Sequence, residues 1–277
     1  MGDLEARVAA HYSAGDLLQA IDEGLAALGV APEDATVATL APVDEFHTAG
    51  RATTLKLLAM SGVQPGMRVL DAGSGIGGAA RVLAVESGAE VVGVDLTPVY
   101  VDVARTLTER MGLTDRVSFS VGSVTALDFD AESFDAAVSF HVGMNVPDRA
   151  AFYGEMARVL RPGGRFSLFD VLKGPGAGMR YPVPWAETGE TSFLKTPEEM
   201  RGYLIEAGFR IVAEEDLTEF AIGFFRDVFA KAAKSAGPPP LGLHLLTGAN
   251  AGEKFQNYAA ALDDDQIAPM IMVAEKV

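Results

Sequence analysis

The segment Val69–Arg81, V-L-D-A-G-S-G-I-G-G-A-A-R, constrains the fold more than any other stretch of this chain. An apolar run of strand character passes without a linker into a glycine-paved turn and then into an alanine-rich helix start. Asp71 stands at the end of that strand, and Gly73, Gly75, Gly77 and Gly78 let the backbone pass a bound ligand closely. A strand handed to a helix in this way is a unit of a parallel α/β sheet, whose ligands bind outside the carboxyl ends of the strands. A second carboxylate, Asp95, closes the next apolar run, V-V-G-V-D, where a nucleotide ribose presents its hydroxyls.

Two cofactor classes compete for this pocket. Gly73, Gly75 and Gly78 satisfy the G-x-G-x-x-G pattern of dinucleotide sites. Asp71 weighs against NAD, because a carboxylate just before the turn repels a pyrophosphate. S-adenosylmethionine carries an α-ammonium and a sulfonium and no phosphate. At ~4 Å and an effective dielectric of ~20, one such charge pair gains on the order of 4 kcal/mol before desolvation. A dehydrogenase would need a second pyrophosphate-friendly half and no Asp71.

From about Met67 through Leu217 the chain resembles the class I S-adenosylmethionine-dependent methyltransferases. Beyond the glycine turn the resemblance rests on Gly122-Ser123-Val124 after the third strand, S-F-D-A-A-V from Ser133 into the fourth, R-V-L-R-P-G-G-R-F from Arg158 into the fifth, and E-A-G-F from Glu206 before the sixth. The G-I-G-G-A-A-R form looks like the subgroup of sarcosine and dimethylglycine N-methyltransferases and sterol and tocopherol methyltransferases, with most likeness to the sarcosine/dimethylglycine type.

The resemblance implies a Rossmann-like, seven-stranded, mostly parallel sheet with helices on both faces. It implies methyl transfer to a small-molecule acceptor, at nitrogen as first choice and otherwise at carbon or oxygen, releasing S-adenosylhomocysteine. By the same resemblance Asp71 and the backbone of Gly73, Ser74 and Gly75 place the methionine end, and Asp95 accepts the ribose hydroxyls with Leu96 against the adenine. Gly122, Ser123 and Val124 then frame the adenine. Many relatives carry an aspartate after that glycine; here Ser123 stands in its place, which leaves the backbone of Ser123 and Val124 for the task. The alternative within this fold is a protein that binds the cofactor as a plug or effector while a non-methylating reaction proceeds elsewhere, since cofactor motifs report binding and not chemistry.

At 277 residues, nearly half of them apolar, the chain can bury one large core. No apolar run approaches the ~20 residues that span a bilayer, and the start M-G-D-L-E-A lacks the basic opening of a secretory signal. The absence of cysteine excludes disulfides, thiolate metal sites and a cysteine nucleophile, and is compatible with the cytoplasm. A net charge of −16 argues against nucleic-acid partners and for a small neutral or cationic substrate.

Strands are expected at Arg68–Ala72, Glu90–Val94, Val117–Val121, Ala136–Phe140, Arg165–Asp170, Arg210–Leu217 and Met270–Glu275. Helices are expected at Pro98–Met111 and Pro147–Leu160, each with proline at its first position. Residues 1–60 read as a helical cap, broken at Gly29–Asp34, that packs across the ligand mouth of a domain spanning 61–277. Within that domain, 174–194 is rich in proline and glycine and reads as an ordered lid loop. The stretch 220–265 is an insertion that extends the lid or forms a homo-oligomer contact.

The run S-F-H-V-G-M-N-V-P follows the fourth strand, so His141 stands near the sulfonium and the incoming nucleophile, with Met144 a candidate substrate contact. A neutral imidazole there can take a proton from the acceptor or simply hydrogen-bond the cofactor, because displacement from a sulfonium can proceed by proximity alone. His47 and Arg51 are four residues apart, one face of a helix, and form a candidate pair for a carboxylate. Tyr12 is a candidate to close over the cofactor. In the lid, Tyr181 and Trp185 are candidate substrate-wall aromatics beside Glu187, an arrangement suited to a cationic amine or to anchoring the loop. The four histidines show no metal-ligand spacing, and no metal site is expected.

Overall fold

The structure is a computed structural model that describes residues 3–11, 16–235 and 237–277. Four helices come first, α1 (Asp3–His11), α2 (Leu17–Ala27), α3 (Val37–Asp44) and α4 (Arg51–Ser61). The alternating part follows as β1 (Arg68–Ala72), α5 (Gly78–Ser87), β2 (Glu90–Asp95), α6 (Pro98–Arg110), β3 (Val117–Val121), β4 (Phe134–Phe140), α7 (Arg149–Val159) and β5 (Leu160–Lys173). The chain closes with α8 (Pro197–Glu206), β6 (Phe209–Asp216), α9 (Thr218–Ala232), α10 (His244–Thr247), α11 (Ala251–Asp263) and β7 (Ile267–Lys276).

The described residues form one seven-stranded sheet in the order β3-β2-β1-β4-β5-β7-β6. The first five strands in that order run parallel, and β7 pairs antiparallel with both β5 and β6. Successive strand residues point to opposite faces, and the core divides accordingly. Leu70, Ala137, Met272 and Ala274 pack with α7 and α8 on one face. Val69, Val138, Ile271 and Val273 pack with α4, α5 and α6 on the other. Both faces are therefore covered, as a sheet of near-continuous apolar strands requires.

Two sequence expectations change in detail. Pro147 does not open α7: Asp148 caps it, its carboxylate accepting the Ala151 N–H at 2.9 Å, and the helix begins at Arg149. A carboxylate satisfies an orphan amide that proline at the first position merely tolerates. The fifth strand begins earlier than Arg165, because Leu160 already pairs with Phe134 and Arg161–Gly164 bulge out before pairing resumes at Ala136 and Arg165.

The order places β1 between β2 and β4, so the chain leaves β1 in one direction and returns on its other side. That switch point opens a crevice at the carboxyl ends of β1 and β4, the place where open α/β sheets bind ligands.

Candidate active site

The glycine turn is built for close approach. Gly73 holds φ +85°, and a Cβ there would collide with the Val142 side chain, so only glycine fits between β1 and the segment after β4. The Gly73 and Ser74 amides both donate to the Val94 carbonyl, at 2.8 and 3.0 Å, which ties the turn to β2. Asp71 lies at the crevice floor, 1% exposed; neither carboxylate oxygen makes a hydrogen bond of full geometry among the described residues, and only the Ala80 amide at the start of α5 acts on it as a weak backbone donor. Burial, with the like charges of Asp95 and Glu45, pushes its pKa up to about 7.

Asp95 is held differently. One oxygen accepts the Gly75 N–H at 2.8 Å and the other the Thr97 N–H at 2.9 Å. These bonds oppose the upward push of burial on its pKa and fix the carboxylate, while each oxygen keeps a further lone pair for a ligand on the crevice side. Leu96, Gly122, Ser123 and Val124 also line the crevice. The Ser123 hydroxyl donates to Glu5 of α1 at 2.7 Å, so a carboxylate from the N-terminal helix reaches the position where the sequence itself has only serine.

His141 follows β4 in a left-handed conformation, φ +52°, with its amide donating to the Phe169 carbonyl at 2.7 Å. Histidine is among the residues that enter this region most readily, and the conformation turns the ring toward the crevice. The ring packs 4.7 Å from Phe169, and its buried Nε2 has no partner among the described residues. Burial, reinforced by His47, holds its pKa well below the ordinary histidine value, so the ring is neutral at pH 7.

His47 stacks on Phe140 at 4.9 Å and lies 6.0 Å from His141 between ring centroids. Its Nε2 is 2.9 Å from the Thr54 hydroxyl and 3.3 Å from Glu45, while its Nδ1 is buried without a partner among the described residues. Thr54 also donates to Glu45. Glu45 was not singled out in sequence, although it sits in the same D-E-F-H run as His47. It joins Asp71 and the two histidines on the crevice wall.

The expected pairing of His47 with Arg51 does not occur. Residues 45–50 form a turn through Ala49 and Gly50, both at positive φ, so the two side chains never share a helical face. Arg51 opens α4 and pairs with Glu86 at 2.6 Å, outside the crevice. Tyr181 is also absent from the crevice and lines a smaller pocket with Met179 and Leu194. Glu187 does not accompany an aromatic pair, because Lys254 and Asn250 engage it at 2.6 and 3.0 Å.

Trp185 does line the crevice. Its Nε1–H donates to Ser192 at 2.9 Å and its ring meets Tyr258 edge-on at 5.9 Å, so it anchors the loop and forms wall together. Met144 sits beside it, 3% exposed. Tyr12 lies outside the described residues.

The turn carrying His141–Val146 is clamped from below. Arg149, fully buried, donates to the Gly143 and Val146 carbonyls and lies 4.0 Å from Asp170. The Asn145 amide reaches the Trp185 and Thr191 carbonyls, both at 2.9 Å, and the Phe193 N–H donates to Met144 at 2.7 Å. The loop 174–194 is thus bonded to the segment that carries His141. The whole crevice encloses about 800 Å³. Among the described residues no group of three histidine or acidic side chains is arranged to hold a metal ion.

Residues 70–168, from β1 through β5, match the methyltransferase domain family. The chain carries a methyltransferase domain. Over 130 residues it is 38% identical to "Methyltransferase GfsG" of Streptomyces halstedii, the match covering 47% of each chain, so this protein spans about half the length of that relative. Among solved structures, the fold superposes on the [4+2]-cyclase SpnF with a TM-score of 0.69 and 24% identity, covering 94% of this chain and 93% of that one. It superposes on a putative sarcosine dimethylglycine methyltransferase from Galdieria sulphuraria with a TM-score of 0.68 and 20% identity, covering 86% and 94%. These likenesses show the fold, a mostly parallel α/β sheet with the crevice at its switch point.

Proposed function

We propose that the protein is an S-adenosylmethionine-dependent methyltransferase acting on a small molecule. The observation that carries this reading is Asp71: a buried carboxylate with neither oxygen in a hydrogen bond of full geometry at the end of β1 is suited to a cation. An unpaired buried charge is costly, and an ammonium or sulfonium against it recovers that cost. A pyrophosphate in the same place would compound it, which sets NAD aside.

The residues present fit that cofactor. Asp71 would take the ammonium, Asp95 the ribose hydroxyls, and Leu96, Gly122, Ser123 and Val124 the adenine, with Gly73, Ser74 and Gly75 clearing the path between. When bound, S-adenosylmethionine supplies an electrophilic methyl on a sulfonium centre. His141 contributes a neutral imidazole whose Nε2, in the tautomer that carries the proton on Nδ1, can receive the acceptor's proton, and Met144, Trp185 and His47 shape the space around the acceptor. The apolar walls exclude water, which strengthens the charge interactions at Asp71.

In this reading residues 1–60 are a cap and 61–277 the catalytic unit, with the loop 174–194 as lid and 220–265 supplying the outer wall. Leu4 and Val8 of α1, and α9 and α11, all reach the crevice in support of that division. The net charge of −16 supports a role on small molecules and not on nucleic acid, and the absence of cysteine is compatible with the cytoplasm. No helix among the described residues is long and apolar enough to cross a membrane.

The test is transfer of an isotopically labelled methyl from S-adenosylmethionine into a metabolite extract, read by untargeted mass detection against a no-enzyme control. A labelled product one methylene heavier than its precursor is expected. Cofactor binding with no label moved in extracts of diverse origin would overturn methyl transfer in favour of a non-methylating reaction in the same fold.

A further inference from the structure

Beyond the strand ends the crevice continues into a chamber that a nucleoside does not need. Its far wall comes from α9, α11 and the connection before α10, with Phe224, Val228, Phe229, Pro239, Leu243 and Phe255 on its surface. Phe225 backs this wall, with ring centroids 6.1 Å from Phe229, 6.2 Å from Phe255 and 5.1 Å from Tyr258. The wall offers contact area and scarcely a polar group. The total volume of about 800 Å³ lies high in the ~300–1,000 Å³ range of small-molecule pockets.

The charges around the chamber are one-sided. Its ionisable lining consists of carboxylates, histidines and the tyrosines Tyr100 and Tyr258, and among the described residues no lysine or arginine lines it. The remaining residues, Met1, Gly2, Tyr12, Ser13, Ala14, Gly15 and Ala236, bring no basic side chain by sequence. Of the cations on neighbouring elements, Arg7 pairs with Glu190 at 2.5 Å, Arg51 with Glu86 at 2.6 Å and Lys254 with Glu187 at 2.6 Å, while Arg226 and Lys231 of α9 are exposed and do not line the chamber. A carboxylate or phosphate on the acceptor would enter a low-dielectric space that holds only like charge and has no cation to meet it. A cationic head would find its carboxylates at the strand ends, beside Asp71 and Glu45, and none on the α9–α11 wall.

Resting on the methyltransferase reading above, we infer that the acceptor is an uncharged, predominantly apolar molecule. Its nucleophilic hydroxyl or carbon lies at the His141 end and its apolar body lies against α9 and α11. Amino-acid acceptors such as sarcosine and dimethylglycine, and phosphate esters, are thereby set aside.

The experiment uses the full chain loaded with S-adenosylhomocysteine and the neutral fluorophore Nile red, displaced at pH 8 by a matched pair, 1-dodecanol and dodecanoate. Dodecanol is expected to displace the dye at least about tenfold more effectively than dodecanoate, and sarcosine and dimethylglycine not at all. Phe229 is 36% exposed, and Phe229→Lys is expected to keep the fold, which circular dichroism of the variant checks. It should weaken Nile red by about tenfold or more and raise dodecanoate to or above dodecanol, while Phe229→Leu keeps dye affinity within about threefold. Equal displacement by the two probes in the unsubstituted protein, or unchanged dye affinity in Phe229→Lys, would overturn the inference. S-adenosylhomocysteine affinity, titrated calorimetrically in the same samples, reads the cofactor end alone. Its failure would overturn the methyltransferase reading, whatever the order of the two probes.

Discussion

Replacing Asp71 by asparagine should stabilise the ligand-free protein and cripple cofactor binding. The carboxyl is 1% exposed, without a hydrogen bond of full geometry, and titrates at about 7 where an ordinary aspartate titrates at 3.8. Its folded pKa lies above its unfolded one, so between these values the folded state binds more protons than the unfolded chain. Stability is then full below about pH 4 and is lost as pH rises through about 7. A gap of about 3 units corresponds to about 4 kcal/mol at pH 8, at most, and to about 2 kcal/mol at pH 5. The amide has nearly the same shape, does not titrate in this range, and is no less satisfied than the protonated acid it replaces. Each kcal/mol moves Tm by about 2–4 °C in a chain of this size. Thermal denaturation of both proteins without ligand, from pH 5 to 8.5, should show an advantage for Asp71→Asn that grows about two- to threefold with pH. Calorimetry supplies the other half. At pH 6 binding of S-adenosylmethionine should release a proton from Asp71, making the heat depend on the buffer, whereas Asp71→Asn should show no such dependence. The variant should also bind about 10–100-fold more weakly, for the loss of a charged hydrogen bond worth about 1.5–3 kcal/mol. A stability difference that does not grow with pH, or an undiminished affinity, would refute the assignment of Asp71 as the cation's partner.

Asp95→Ala removes the acceptor of the Gly75 and Thr97 amides together with the ribose contact, and should weaken cofactor binding by about 1.5–3 kcal/mol in a calorimetric titration. His141→Ala should lower kcat about 10²–10⁴-fold with little change in cofactor affinity if Nε2 receives the acceptor's proton. Because burial and His47 depress the His141 pKa, the acid limb of kcat in the unsubstituted enzyme should fall well below pH 6.5, and a limb at or above that value would contradict the role. Arg149→Met leaves Asp170 buried without its cation and should cost about 3–5 kcal/mol in urea unfolding. Arg149→Met with Asp170→Asn should recover much of that loss, because no uncompensated charge remains.

The sheet could be read from sequence because each strand is a short apolar run ended by a glycine or a polar turn, and both faces of the sheet are buried. Asp71 and Asp95 were legible for the same reason: strand ends are fixed by hydrophobic pattern, and the crevice lies at strand ends. The errors fall where a local rule was applied to a segment with a different backbone. The i,i+4 relation between His47 and Arg51 presumes a helix, and the positive φ of Ala49 and Gly50 prevents one. Partners distant in sequence were not accessible at all. Glu5 meets Ser123 across 118 positions and Thr48 meets Tyr258 across 210, and no periodicity encodes such pairs. The chamber's apolar wall was legible only as an insertion at 220–265 that extends the lid or forms an oligomer contact, since its phenylalanines meet the crevice only once α9 and α11 are brought against it.

Arg81 shows why the N-terminal helices and the glycine turn behave as one piece. It closes the sequence motif, yet it does not line the crevice and its guanidinium is wholly buried. It binds Asp44 of α3 at 2.5 Å, the Ile76 carbonyl of the turn at 2.7 Å and Thr108 of α6 at 3.0 Å. A buried ion pair of this kind adds little net stability over an apolar replacement, but removing either partner strands a charge. Its effect is to fix register: α3 can sit at only one height over the turn. Gly78 enforces the same contact sterically, because a Cβ there would strike the Asp44 carbonyl. Asp44 in turn immediately precedes Glu45 and His47, so the position of the Glu45–His47 pair over Asp71 is set by a residue of the glycine motif itself. The part of the site that comes from the N-terminal helices is thus held by the same segment that shapes the cofactor pocket, and displacement of α3 would disturb both together.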